Sequence, residues 1–361
     1  MDLTFHIDWA SAAHRMDAFW QGQSTDRPAI LLTVPKPQGE RIPVPEPEGP
    51  EQKYFDPEFV LRRCEAELGN SWHMAESLPA ATRAMMAGWL PTYGSRIVAD
   101  DATIWIDQII ESWDRVPDWE SAWDDQGWRR LLGLLEYLVQ HAKGRFFVGC
   151  PPMLPPNDLL SMLRGCVGYL FDLADHPDEI KHAQSIMTRN YLRMFDTVNR
   201  VCHTQFEGYH EHYPVWSREP LITTQSDISC TLSEAMFEEF IVPELEQIMG
   251  HTGRAIYHLD GPDAIKHLDR VLDIPGMAML QWVSGAGQPG GFQHWAELFH
   301  RAQEHGKAIL LPCGVDQLEQ AVQRFRPELT YIWCGEVPTR RQADEVLLNL
   351  ERWTRKYWGR R

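Results

Sequence analysis

Short apolar runs alternate with longer amphipathic stretches along most of the chain. Eight runs have the length and composition of buried strands, and they cover residues 29–34, 103–106, 145–149, 222–227, 254–258, 278–283, 308–311 and 330–333. Runs that are apolar at consecutive positions are typical of strands buried on both faces, which indicates parallel pairing.

The stretches between these runs carry apolar residues at helical spacing, and they cover residues 10–21, 128–142, 177–201, 233–249, 262–272, 292–305, 316–325 and 339–356. Ser233 and Thr339 stand at the N-cap positions of two of them. Eight strands alternating with helices predict an α/β fold: one (β/α)8 barrel domain over residues 1–361. A doubly wound open sheet is the competing arrangement. Residues 35–57 contain seven prolines, so residues 1–60 are expected to form an N-terminal helical and extended extension.

Charge and composition exclude several classes of function. The 34 basic and 51 acidic residues of the 361-residue chain give a formal net charge of −17, which disfavours binding to nucleic acid and to anionic membranes. No run approaches the roughly 18 apolar residues that span a bilayer, and no signal peptide is visible at the N-terminus. The seven cysteines form no CxxC pair. These features predict a protein of the cytoplasm that acts on a small molecule.

Chemically active side chains follow several of the predicted strands. In a (β/α)8 barrel the active site lies at the C-terminal ends of the strands, so these residues are expected to meet on one rim. The set consists of Gln225, Asp227, His258, Asp260, Gln281, Trp282 and Cys334. We predict catalytic roles for Asp227, His258 and Asp260.

A metal site is one interpretation of three of these residues. His258 and Asp260 are two positions apart and share a face of a regular strand, and Cys334 would approach from the last strand. A set of imidazole, carboxylate and thiolate ligands suits zinc. A hydrogen-bonded His–Asp pair without metal is the alternative, and the sequence leaves both open.

A second group of residues is expected to line a substrate pocket. It contains polar and aromatic side chains that can orient a small ligand, namely Asn157, Arg164, Trp216, Gln225, Gln281 and Trp282. His210 and His212 are interpreted as a solvated pair of loop histidines. The GxGxxG match at 285–290 contains Pro289 and predicts a flexible loop, not a dinucleotide site.

Longer segments resemble one known superfamily. The stretches QSDISCTLSEAMFEEFIVPELEQIM, YHLDGPDAIKHLD, LQWVSGAG and CGEVPTRRQADEVLLNL are similar to segments of the uroporphyrinogen decarboxylase superfamily, which includes the methylcobalamin:coenzyme M methyltransferases. The resemblance is specific over residues 220–352, extends more weakly over 100–200, and is loose before residue 60. It implies a (β/α)8 barrel.

Departures from the superfamily pattern separate its branches. The arginine-rich segment after the first strand of the decarboxylase is absent here, and Trp333-Cys334-Gly335 replaces its GHG triplet. In the methyltransferases an H-x-C pair and a later cysteine bind zinc. His258 and Cys334 match the first and last of these positions, whereas Asp260 stands at the middle one. The resemblance therefore favours the methyltransferase branch.

The resemblance implies an enzyme that moves a methyl group between a small methylated compound, a corrinoid and a thiol-type acceptor, with help from zinc. The corrinoid would be a substrate or be carried on a partner protein, and a homodimer is a further arrangement to consider. Two alternatives stay open. One is a metal-independent lyase or decarboxylase that uses Asp227 and His258 on a small carboxylated substrate. The other is a non-catalytic barrel that binds a corrinoid or another ligand.

Overall fold

A seven-stranded sheet forms the centre of the computed structural model, which describes residues 3–23, 26–81, 93–101 and 103–359. Its strands are β1 (Ala29–Pro35), β2 (Ser71–Ala75), β7 (Ile222–Gln225), β8 (Ala255–Asp260), β9 (Met277–Val283), β10 (Ala308–Pro312) and β11 (Thr330–Glu336). Their order across the sheet is β2-β1-β11-β10-β9-β8-β7. Only the β1–β2 pair is antiparallel among these neighbours, which confirms the α/β class with a mostly parallel sheet.

Six of the eight expected strands lie in this sheet, and two do not. Residues 104–106 form β4 (Ile104–Ile106), which pairs with β3 (Ile97–Ala99) in a separate antiparallel hairpin. Residues 145–149 form no strand, although Phe147 makes an isolated bridge to Ala80. A second short pair, β5 (Tyr209–His210) and β6 (Trp216–Ser217), also lies outside the main sheet. Within the described residues the sheet is therefore not closed by strand pairing.

Helices flank the sheet at most of the expected places. They are α1 (Trp9–Trp20), α2 (Pro50–Phe55), α3 (Pro57–Gly69), α4 (Gln126–Ala142), α5 (Pro156–Arg164), α6 (Cys166–Asp175), α7 (Pro177–Cys202), α8 (Glu234–Met236), α9 (Val242–Thr252), α10 (Leu268–Leu272), α11 (Ala296–Glu304), α12 (Leu318–Arg324) and α13 (Arg340–Trp358). Ser233 and Thr339 accept hydrogen bonds from the backbone of Met236 and Gln342, which confirms both predicted N-caps. None of the described helices is long and apolar enough to cross a bilayer.

The expected helix over 233–249 is interrupted. A π-helical turn, Phe237–Ile241, separates α8 from α9. Pro243 cannot donate a backbone hydrogen bond at the start of α9, and this accounts for the break in regular α-helical bonding at that point. The expected helix over 262–272 likewise begins as a 3-10 turn, Pro262–His267, before α10.

Helix α1 packs near the N-terminal ends of the parallel strands. The ring of Trp9 lies edge-on to Trp216 at 5.4 Å, and the indole of Trp20 donates a hydrogen bond to the Trp216 carbonyl. The guanidinium of Arg254, the residue before β8, lies over the ring of Trp20 at 5.0 Å. The polar residues described next lie at the opposite, C-terminal ends of the strands.

Candidate functional site

Three ligand-type side chains converge at the C-terminal ends of β7 and β8. One ligand atom from each of Asp227, His258 and Asp260 lies within 4.8 Å of the other two. Asp227 occupies the turn after β7, while His258 and Asp260 share a face of β8 because they are two residues apart. We call these three residues the carboxylate–histidine group.

The ring of His258 is held through its Nδ1 atom. Gln281 lies opposite His258 in the register of β8 and β9, and its Oε1 atom contacts Nδ1. The Gln281 Nε2 atom donates to the carbonyl of Trp282 at 3.1 Å, which fixes Oε1 toward the histidine. The hydroxyl of Tyr213 lies 2.8 Å from the same nitrogen. Oε1 can only accept, and the Tyr213 hydroxyl can accept as well as donate, so both contacts fit the tautomer with the proton on Nδ1. In that tautomer the lone pair of Nε2 can act as a base or a ligand.

The two carboxylates of the group differ in their surroundings. The Oδ1 atom of Asp260 is buried and has no hydrogen-bond partner within the described part of the chain. Asp227 has exposed surface, but the protein around it and the charge of Asp260 raise the pKa of the Asp227 carboxyl to about 6. Gln225 opposes this shift because its amide donates to Asp227 at 2.8 Å.

The donor set of the carboxylate–histidine group fits a divalent metal ion. One imidazole nitrogen and two carboxylate oxygens are ligands that zinc and neighbouring first-row metals accept. Metal-bound histidines usually donate their second N–H to a protein acceptor, and Gln281 supplies that acceptor for His258. The unpartnered Oδ1 of Asp260 would also gain a partner. Without metal, the same residues form an acid–base cluster.

One solved structure with a similar fold is a methyltransferase from Methanosarcina mazei. The two share 12% sequence identity over 95% of this chain and 98% of the other, with a TM-score of 0.55. A likeness at this level of identity shows a shared fold. No protein-family model matches the chain, and no curated protein matches it.

Cys334, expected as a metal ligand, lies outside the carboxylate–histidine group. The register between β1 and β11 pairs Leu31 with Trp333 and Leu32 with Gly335, so Cys334 falls at an irregularity of the strand. Burial raises the pKa of the Cys334 thiol to about 11. Asp227, which was expected to be catalytic but not a ligand, takes the third position of the group.

The side chains of Gln281 and Trp282 lie in different surroundings, although the two residues are adjacent in β9. Gln281 contacts His258, whereas Trp282 packs on Trp295 with ring centroids 5.0 Å apart. Trp282 also lines a separate cavity of about 490 Å³. Neighbouring residues of a strand face opposite sides of the sheet, so the two side chains lie on different faces, and their roles in substrate binding stay predictions.

Three other residues expected in the substrate pocket form hydrogen bonds within the protein. Asn157 is fully buried, donates to Glu244 at 2.7 Å and accepts from Ser226 at 2.9 Å. Arg164 donates to Asp172 and to the carbonyl of Ile110. Their side chains serve internal contacts.

Trp216 is the third of these residues. It is almost fully buried, and its indole donates to the carbonyl of Glu207 at 3.0 Å. Its packing against α1 places it near the N-terminal ends of the strands, away from the carboxylate–histidine group. Gln225, in contrast, lies beside the group through its contact with Asp227.

The sequence-based interpretation missed residues that support the site. Tyr213 was not singled out, and His212 was taken for a solvated loop residue. In the structure His210 is buried and His212 is partly buried, and burial lowers the pKa of His210 to about 4. Burial, with the charge of His258, lowers that of His212 to about 3. Segment 209–213 shows no hydrophobic periodicity from which the burial of these side chains could be predicted.

Proposed function

We propose that this protein is a metal-assisted methyltransferase with its centre at Asp227, His258 and Asp260. The observation that carries the proposal is the convergence of these three ligand atoms within 4.8 Å at the C-terminal strand ends. A fold shared with a methyltransferase, and the resemblance over residues 220–352, support the reaction class.

Zinc is the metal we propose. His258 would bind through Nε2, and Asp227 and Asp260 through carboxylate oxygens. A bound zinc ion supplies Lewis acidity, which lowers the pKa of a thiol and holds it as the thiolate. The protein's own part is to orient His258 through Gln281 and Tyr213, and to present two carboxylates that offset the charge of the ion.

The proposed reaction moves a methyl group between a small methylated compound, a corrinoid and a thiol-type acceptor. In the half-reaction with methylcobalamin, the acceptor sulfur bonds to the methyl carbon as the cobalt–carbon bond breaks. The electron pair of that bond stays on cobalt and gives cob(I)alamin. An oxygen-rich ligand set donates less electron density than thiolates do, so acceptors other than simple thiols belong in the assay.

The test combines a metal assay with a spectral assay. We expect about one zinc per chain after purification without chelators, and conversion of methylcobalamin to cob(I)alamin when an acceptor is added. His258→Ala should lose both. His251→Ala is the matched control because His251 is a surface residue bonded to Asp196. Absence of zinc and of methyl transfer in the wild-type protein would refute the proposal.

One observation favours a second candidate, a lyase that acts on a small carboxylated substrate. Burial and the charge of Asp260 raise the pKa of Asp227 to about 6, so this carboxyl, which lies beside His258, can exchange a proton close to neutral pH. Release of carbon dioxide that persists after chelator treatment would identify this activity. Binding of a corrinoid or of a carboxylated ligand without turnover would instead indicate the remaining alternative, a non-catalytic ligand-binding barrel.

We also propose that the sheet belongs to a closed (β/α)8 barrel. Backbone hydrogen bonds continue the path between its edge strands: Phe147 donates to the carbonyl of Pro79, and Cys150 donates to that of His210. The Glu211 carboxyl then accepts from the backbone of Thr223 in β7. A corrinoid-protein partner, a homodimer, a single domain over 1–361 and a place in the cytoplasm stay predictions.

A further inference from the structure

The turn that carries Asp227 is held by a second, buried carboxylate, that of Asp158 in the first turn of α5. We infer that Asp158 is a positioning residue, which places the Asp227 carboxylate in the carboxylate–histidine group. This inference rests on the proposed function, because it concerns the same metal centre. Asp158 itself is not among the three grouped ligands.

The contacts of Asp158 define the shape of the turn. Its Oδ2 atom accepts from the backbone N–H of Asp227 at 3.1 Å, and its Oδ1 atom accepts from that of Ile228 at 3.2 Å. One carboxylate thus holds two successive backbone donors, which fixes the backbone direction at Asp227. The direction of the Asp227 side chain depends on the direction of the backbone that bears it.

The amide of Gln225 ties the two carboxylates together. Its Nε2 atom lies 3.3 Å from Oδ2 of Asp158 and 2.8 Å from Oδ2 of Asp227. Gln225 is also the register partner of His258 across β7 and β8. The position of Asp227 is therefore set relative to Asp158 on one side and to the strand that bears His258 on the other.

The side chain of Asp158 is held by hydrogen-bond donors and not by a cation. Asp158 is 5% exposed, and it forms no ion pair with lysine or arginine in the described ranges. A buried carboxylate without a cation is costly, so its donors must hold it. All three of its contacts are N–H donors, whereas an asparagine would set its own N–H₂ group against one of them.

An adjacent anchor acts on the same turn through different atoms. Asn157 accepts a hydrogen bond from Ser226 and donates to the buried Glu244. This anchor keeps the turn attached to α5 when Asp158 is changed. We therefore expect Asp158→Asn to fold and to retain the strand, while the Asp227 carboxylate loses its fixed direction.

Cobalt(II) is a suitable probe because its visible absorption reports the number and type of ligands, independently of turnover. Cobalt(II) is titrated into chelator-treated wild-type protein, Asp158→Asn and Asp172→Asn. Asp172 is the matched control: it is also 5% exposed, and it contacts Arg164 and Trp113 instead of the site. Asp158→Asn should bind cobalt roughly 10- to 100-fold more weakly, as loss of a supporting contact does in metal sites.

The spectrum separates positioning from general destabilisation. Asp158→Asn should resemble Asp227→Asn in its cobalt absorption, whereas Asp172→Asn should keep the wild-type spectrum and affinity. If Asp158→Asn does not fold, Gln225→Met removes the amide that ties the two carboxylates, and it should shift the affinity in the same direction.

Two failures are distinguishable. A wild-type protein that binds no cobalt would overturn the proposed metal centre and this inference with it. A wild-type cobalt spectrum that is unchanged in Asp158→Asn, or in Gln225→Met where that variant is needed, would leave the metal centre standing and overturn the positioning role of Asp158.

Discussion

Glu76 offers the sharpest test of what holds the sheet together. Its carboxylate is almost fully buried beyond the end of β2, and it accepts two hydrogen bonds from Arg27, both at 2.8 Å. It also accepts from the backbone of Ile30 in β1 at 2.8 Å. Its carbonyl accepts from the hydroxyl of Tyr331 in β11. One residue thus joins three neighbouring strands.

Glu76→Gln keeps the size of the side chain but removes its charge. The Arg27 guanidinium, whose side chain is 6% exposed, would then lose the negative charge of the carboxylate that it contacts through two nitrogens. Breaking a buried pair from one side costs about 3–5 kcal/mol of the free energy of unfolding. The new amide N–H₂ group also faces N–H donors, either of Arg27 or of Ile30, so the loss belongs at the upper part of that range.

The assay is urea unfolding followed by circular dichroism. With an m value of about 3 kcal/mol/M or more for a chain of this size, the midpoint should fall by roughly 1 M. Glu120→Gln is the control, because Glu120 pairs with Arg189 on the surface, where both side chains are about half exposed, and should change stability by about 0–1 kcal/mol. Equal losses in the two variants would refute the reasoning.

Three further predictions concern single side chains. Gln281→Leu removes the acceptor for His258 Nδ1 and should weaken zinc binding roughly 10- to 100-fold in a chelator competition, whereas unchanged affinity would contradict the tautomer argument. Trp216→Ala should cost about 3–5 kcal/mol of stability but leave zinc affinity intact, as unfolding curves and the same competition would show. Burial raises the pKa of Glu211 to about 8 from the usual 4.5, so the folded state keeps a proton that the unfolded state releases. The contribution of Glu211 to stability should therefore fall as pH rises from about 4.5 toward 8. In urea unfolding, the change in stability between pH 5.5 and 7.5 should be less negative, or more positive, for Glu211→Gln than for the wild-type protein.

The sequence pattern predicted strands well where both faces are buried. β8 to β11 read as continuous apolar runs because helices and the sheet interior cover their two sides. Residues 104–106 gave a similar run, yet Trp105 is exposed and the segment pairs locally with β3. A three-residue apolar run does not indicate which strand it will pair with.

The candidate site was predicted in part for a related reason. Alternation along β8 put His258 and Asp260 on one face, and this needs only local geometry. The role of Asp158 depends on contacts with residues 227 and 228, about 70 positions away. No local sequence pattern predicts contacts over such a distance. The irregular register at Cys334 could not be predicted from the sequence either, because it arises from pairing with β1.

The pairing of His258 with Gln281 would make the proposed metal centre a reporter of strand alignment. These residues meet because β8 and β9 are in one particular register. A slip of β9 by one residue would place Leu280 or Trp282 opposite the histidine, and neither offers an acceptor for Nδ1–H. A chain with misaligned strands would thus hold metal poorly even if all its ligands were present. Retention of the ion would then mark the correctly assembled molecules in a preparation, and metal loss would precede visible unfolding wherever this strand pair loosens first.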